Sequence, residues 1–318
     1  MALYLTENDV DRLLEMPACI TAVEHAFQDV AMGNAAFRPR ARVAAAGAML
    51  HVLPAASDRL GRLAVKAYAT TSEAARFVVL LFDTRTAEHL ATIEANRLGQ
   101  RRTGAASGVA TKYLARADAA ILAVLGTGWQ ARAQVEAIGS VRRLREVRVW
   151  GRDRDRLIEF CGDVARATGV SVQPAANAEK AVRDADIVVT ATSAGQPILK
   201  GAWLSPGMHL NAVGSNRADR REIDDEAVSR ADVIVVDSSE QARLEAGDLL
   251  LAKSPEGSLQ AVTRAIDLAT IVSGRHPGRT DARTLTLFKS LGIGLEDLAA
   301  ASLVYDRARA AGAGRPCP

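Results

Sequence analysis

Residues 121–131 read Ile121-Leu-Ala-Val-Leu125-Gly126-Thr127-Gly128-Trp129-Gln130-Ala131. A short apolar run gives way to Gly126, Gly128 and Ala131, the spacing G-x-G-x-x-A at the point where a strand should become a helix. In a dinucleotide-binding turn the first glycine permits the tight bend and the second lets backbone approach a pyrophosphate. The third small residue lets helix and strand pack closely, and the helix N-terminus offers N–H groups and partial positive charge to the anion. In a chain with 24 glycines the bare pattern says little. The strand before it and the helix after it make it informative.

Outward from this turn, apolar runs at 121–125, 147–150, 187–190, 209–213 and 233–236 alternate with helical or loop segments. They are too short for helices and fit a parallel sheet covered on both faces. Upstream, residues 6–33 read as two helices, with Thr6 as N-cap and Gly33 as stop. Runs near 49–53, 63–68, 77–82 and 89–94, broken at Asp58–Gly61 and Asp83–Thr86, predict antiparallel or mixed strands. Residues 99–115 read as a glycine-punctuated basic turn leading into a helix. Residues 286–293 read as a small-residue loop, and 295–311 as a helix with Leu295, Leu298, Ala299, Ser302 and Leu303 on one side. That helix needs a partner surface, which the N-terminal part can provide.

Composition narrows the function classes. With 318 residues and 48% hydrophobic content the chain can fill two cores. No apolar run approaches a membrane span, and the acidic N-terminus does not resemble a signal peptide, so a cytoplasmic protein is expected. Basic and acidic residues nearly balance, 40 against 37, and aromatics are 4%. Nucleic acid is therefore not an expected partner. Three cysteines and five histidines lie scattered without ligand spacing, so no metal site is expected.

Several positions could carry chemistry. After Val147–Trp150, where an NAD enzyme offers a carboxylate to the ribose, this chain has Gly151-Arg152. That favours a 2′-phosphate and NADP(H), with NAD(H) possible; alternatively Arg152 faces solvent and Asp153 replaces the acid. Thr190-Ala191-Thr192 and Val213-Gly214-Ser215 end later strands and should line the cofactor crevice. Lys66 lies in an apolar strand, where a lysine withdrawn from water can bind a carboxylate or exchange protons. Equally, edge strands carry lysine to discourage aggregation. Arg102 could fork onto a carboxylate or serve as a surface or capping arginine.

Taken together, PRAR at 39–42, KAY at 66–68, RRTGAA at 101–106, GTGWQA at 126–131, NAVGSN at 211–216, EAGDLL at 245–250 and FKSLGIGLEDLA at 288–299 resemble the ornithine cyclodeaminase and mu-crystallin family. The match runs in the family's order over nearly the whole chain. It implies an α/β fold in which a Rossmann-type domain, 115–292, is inserted into a discontinuous α+β substrate-binding and dimerisation domain, 1–114 plus 293–318, in a homodimer. It also implies that Arg40, Lys66 and Arg102 surround a substrate carboxylate, with Arg42 as the alternative to Arg40. Thr103 and Leu291 then belong with the cofactor, and Gly292 with the loop over the substrate.

One departure bears on the reaction. Cyclodeaminases of this family carry an aspartate where this chain has Asn216, and an amide cannot take up a proton near neutral pH. Asp219, Asp224 and Asp225 lie nearby but read as surface or helix-cap residues. The expected activity is NAD(P)H-dependent reduction of a cyclic ketimine, such as Δ1-pyrroline-2-carboxylate or Δ1-piperideine-2-carboxylate, to the L-amino acid. Lys66 and Arg102 are its catalytic candidates. The alternatives are an alanine dehydrogenase-type enzyme, ornithine cyclodeaminase itself, and a crystallin-like NADP(H)- or ligand-binding protein without turnover.

Overall fold

The computed structural model describes residues 1–254, 257–258 and 260–317. The chain divides into two compact units, one comprising Met1–Ala106 with Gly292–Pro318 and the other Ser107–Leu291.

The first unit opens with β1 (Leu3–Leu5), α1 (Glu7–Leu13) and α2 (Met16–Met32). The Thr6 hydroxyl accepts from Asp9 N while the Asp9 carboxylate accepts from Thr6 N, a reciprocal cap for amides that a helix start leaves over. Gly33 ends α2 in the left-handed region at φ +78°. Next come β2 (Ala35–Phe37), β3 (Ala41–Ala45), β4 (Ala48–Ser57), β5 (Arg62–Thr70), β6 (Ala75–Asp83) and β7 (His89–Glu94). β4 to β7 pair antiparallel in sequence order, and β1 joins β7 in parallel. Because side chains alternate faces, the register partners Leu53, Lys66 and Val79 point the same way. The helix Gly294–Ala311 packs on α2, β4, β5 and β6.

Two readings change here. β5 is paired on both sides, so Lys66 does not occupy an edge strand. The stretch 99–104 is no turn, because α3 (Asn96–Leu114) runs through it unbroken. Each helical glycine costs about 1 kcal/mol relative to alanine. Close approach explains Gly99, where a Cβ would stand 2.9 Å from Lys66 Nζ. Glu7 fastens the start of α3, accepting from Asn96 N at 2.7 Å and Arg97 N at 2.8 Å. The C-terminal helix is also less one-sided than its pattern suggests: Leu303 is half-buried, whereas Glu296 and Asp297 are fully buried.

The second unit carries β8 (Ile121–Leu125), α4 (Trp129–Val141), β9 (Glu146–Trp150), α5 (Arg154–Thr168), β10 (Ser171–Pro174), α6 (Ala178–Val182), β11 (Ile187–Thr190), β12 (His209–Ala212), α7 (Asp225–Arg230) and β13 (Val233–Val236). Its parallel sheet has the order β10-β9-β8-β11-β12, then Thr286–Lys289, β13 and Ile266–Asp267. The chain winds one way from β8 and the other way from β11, so the order reverses between them. Apolar side chains fill both faces. Sequence periodicity misses β10, an edge strand with one large apolar residue, and Thr286–Lys289, which the small-residue reading assigned to a loop. The latter lies between β12 and β13 with all four residues buried, including Lys289. Among the described residues no helix is long and apolar enough to cross a membrane.

Candidate active site

At the carboxyl ends of β8 and β11 lies a cleft of about 360 Å³, where parallel sheets bind ligands at a reversal of strand order. Gly126 turns there with φ +123°, and a Cβ on it would stand 2.4 Å from Ala191 O. Gly128, the N-cap of α4, carries no side chain to cap the helix and faces open space. A helix start of this kind accepts an anion through its backbone N–H groups. Ala131 is buried, so its small side chain allows the helix to approach the sheet. Trp129, on the first turn, is largely exposed, and Gln130 is half-buried.

Thr127, Gly151, Arg152, Ala191 and Thr192 also line the cleft. So do Trp150 and Arg156, which the sequence reading passed over. Trp150 is the last residue of β9, and Arg156 lies in the first turn of α5, beyond the strand end where an acid is sought. Asp153 is the N-cap of α5; its Oδ1 accepts from Asp155 N and Arg156 N, each at 3.1 Å. That carboxylate oxygen is committed to the helix, while Arg152 and Arg156 add positive charge to the lining. Thr190 is fully buried and donates its hydroxyl to Glu222 at 2.9 Å. Val213, Gly214 and Ser215 follow β12, and Gly214 N also donates to Glu222, at 2.7 Å.

In the first unit, Arg40, Lys66 and Arg102 are all buried. Lys66 Nζ donates to Asp297 Oδ1 at 3.0 Å, and Arg102 Nε donates to the same oxygen at 2.9 Å. Arg102 Nη1 reaches Glu296 Oε2 at 2.7 Å, and Arg40 Nη2 donates to Gly292 O at 2.9 Å. Gly292 turns at φ +74°, and a Cβ there would stand 2.4 Å from Arg102 Nη1. Neither Glu296 nor Asp297 stood out in the sequence, since two acids in the first turn of a helix are ordinary. The signal was their place on an otherwise apolar helix start.

Burial pulls Lys66 down to about 8; the Asp297 carboxylate opposes this, and Arg102 and Arg40 add to it. Burial also pulls on Arg102, but Asp297 and Glu296 outweigh it and hold the guanidinium above its usual value. Three cations, Arg40, Lys66 and Arg102, are withdrawn from water in this unit, and Lys66 and Arg102 share one oxygen of Asp297. Cations held in a low-dielectric setting favour an incoming anion. Arg42 is half-buried on β3 in register with His51. Burial, with Arg42 and Arg40, lowers His51 to about 4, so its ring is neutral.

The remaining candidates are placed as follows. Thr103 Oγ1 donates to Gly99 O at 2.7 Å, and Leu291 N donates to Asp237 Oδ2 at 2.6 Å. Asn216 is half-buried in the loop after β12. Asp219 pairs with Arg217, Asp224 caps α7, and Asp225 pairs with Arg221.

Comparison with known proteins fits this geometry. Residues 2–312 match the model of the ornithine cyclodeaminase/mu-crystallin family. A Δ1-pyrroline-2-carboxylate reductase of Bacillus cereus is 35% identical over 270 residues, covering 83% of this chain and 82% of the relative. The ketimine reductase mu-crystallin of Rattus norvegicus is 40% identical over 228 residues, covering 72% and 68%. The structure of Thermococcus litoralis Δ1-pyrroline-2-carboxylate reductase with NADH and L-proline superposes with a TM-score of 0.94 at 34% identity, covering 99% of this chain and 100% of that one. A match spanning both units, the glycine turn and the buried cations alike, makes this chain a member of the ornithine cyclodeaminase/mu-crystallin family.

Proposed function

We propose that this protein is an NAD(P)H-dependent reductase of cyclic ketimines such as Δ1-pyrroline-2-carboxylate or Δ1-piperideine-2-carboxylate, yielding the L-amino acid. The observation that carries this is the buried Lys66–Asp297–Arg102 cluster, in which two cations share one carboxylate oxygen. Arg40 and Arg102 hold the substrate carboxylate, with Arg42 as the alternative to Arg40, and Gly292 leaves room for the Arg102 guanidinium. Lys66 gives its proton to the imine nitrogen, directly or through water. A lysine near 8 is mostly charged at neutral pH yet yields its proton readily. Asp297 keeps Nζ oriented and is the group that steadies the ammonium.

The glycine turn and the helix start behind Gly128 fit a dinucleotide, whose nicotinamide supplies the hydride when bound. Gly126–Ala131, Thr103, Gly151, Arg152, Thr190–Thr192, Val213–Ser215 and Leu291 form the cofactor-binding set of this reading. Arg152 and Arg156, with an Asp153 oxygen occupied in a cap, support NADPH over NADH. Asn216 in place of an aspartate supports net reduction over cyclodeamination. The same reading includes a homodimer, tested by sedimentation.

The deciding experiment follows the absorbance of reduced nicotinamide with each cyclic ketimine. Consumption of NADPH is expected. Ammonia release from ornithine with no net cofactor change would instead identify a cyclodeaminase, turnover of a 2-oxo acid with ammonia an alanine dehydrogenase-type enzyme, and tight nucleotide binding without turnover a binding protein.

A further inference from the structure

A second buried charge cluster lies in the parallel-sheet unit, built on three charged residues, Glu222, Asp248 and Lys289, that the proposed reaction leaves unused. Glu222 is fully buried. Its Oε2 accepts from Thr190 Oγ1 at 2.9 Å and Gly214 N at 2.7 Å, and its Oε1 from Thr192 N at 2.6 Å and Thr192 Oγ1 at 2.7 Å. These donors stand at the carboxyl ends of two adjacent strands, β11 and β12. Thr192 lines the cleft. Glu222 is itself held: its N–H donates to Asp248 Oδ1 at 2.7 Å, and Asp248 Oδ2 pairs with Lys289 Nζ at 2.9 Å. Lys289 Nζ in turn donates to Ser215 O at 2.5 Å and Ala212 O at 3.3 Å. Asp248 and Lys289 are fully buried.

Taking three charges out of water costs free energy that an apolar core would not, so the cluster is a poor device for stability alone. Its hydrogen bonds act where the sheet ladder stops. Thr192 N and Gly214 N lie beyond the paired residues of β11 and β12, and one carboxylate bridges them. Gly214 has no room for a side chain, because its Cβ would lie 2.4 Å from Glu222 Oε1. The segment from Gly214 to Glu222, which carries Asn216, is thereby closed on itself.

We propose that Glu222, anchored by Asp248 and Lys289, is a positioning residue for the nucleotide: it locks the backbone after β11 and β12 in the conformation that the cofactor meets. This rests on the dinucleotide reading of the cleft. Glu222→Gln keeps the volume but turns an amide N–H₂ toward a backbone N–H, at Thr192 or at Gly214. Glu222→Asp keeps two acceptor oxygens on a shorter arm.

The test is the Kd for NADPH and for NADH, read from tryptophan quenching in full-length protein shown to be folded by circular dichroism, since Trp150 lines the cleft. Glu222→Gln is expected to weaken nucleotide binding at least about tenfold, the usual consequence of disturbing a charged hydrogen bond, and Glu222→Asp by less. Simple space-filling predicts the reverse order, since Gln preserves the volume. Binding by Glu222→Gln within twofold of wild type, or weaker binding by Glu222→Asp than by Glu222→Gln, overturns the proposal. If Glu222→Gln does not fold, Thr190→Val removes one donor at constant shape; about threefold weaker binding is expected, and unchanged binding overturns it. Wild-type protein that binds neither nucleotide overturns the dinucleotide reading, and this proposal with it.

Discussion

The two buried charge clusters of this protein differ in what their charged groups hold. In the mixed-sheet unit, Lys66 and Arg102 converge on one oxygen of Asp297, and Gly99 and Gly292 keep side-chain bulk away from both cations. In the parallel-sheet unit, Glu222 and Asp248 outnumber Lys289, yet four protein donors converge on Glu222. Buried charge that is paired and hydrogen-bonded from all sides organises backbone. Buried cations that share a single acceptor oxygen suit a ligand of the opposite sign.

The sharpest way to break this contrast is at Lys66. Lys66→Met keeps the bulk and removes the proton, and is expected to lower kcat for imine reduction at least about 100-fold, the range of a lost general acid. Near-normal turnover in folded Lys66→Met would reduce the cluster to a structural feature.

Next in size is the pH profile. Lys66 must be protonated to donate, and its value lies near 8. The kcat/KM for reduction should therefore fall about tenfold per unit as pH rises above that value, and oxidation of the amino acid, which needs neutral Lys66, should rise over the same window. A reduction profile that stays flat to about pH 10, near the ordinary lysine value, would exclude Lys66 as donor.

Arg152→Ala probes the cofactor cleft. Loss of a charge-assisted contact to a 2′-phosphate should raise the KM for NADPH about tenfold while NADH is little affected. Equal effects on both would mean that Arg152 does not distinguish them. The smallest effect is expected far from either cluster: Thr6→Ala should cost about 1 kcal/mol in chemical denaturation with unchanged kinetics, and altered kinetics would show that the α1 cap communicates with the site.

Much of the parallel-sheet unit was legible from local pattern. Apolar runs of strand length separated by helical segments placed β8, β9, β11, β12 and β13, because strands buried on both faces must be apolar throughout. The same rule hid Thr286–Lys289, where a lysine ends an apolar run and is tolerated only because Asp248, far away in sequence, neutralises it. Turn chemistry misled at 99–104 for a related reason: Gly99, within α3, meets a lysine from β5, not a bend of its own chain.

The sequence by itself determined the dinucleotide-type turn at Gly126–Ala131, the helix punctuation at Thr6 and Gly33, and which positions carry charge. These depend on backbone sterics and spacing within a few residues, which any window of the chain contains. Only the tertiary structure decided that Lys66 is buried within a central strand and meets Asp297, 231 residues away, and that Glu222 faces inward. Whether a charged side chain is solvated, paired or held in excess depends on the partners the fold brings to it, because the cost of desolvation is met only by groups that arrive from elsewhere in the chain.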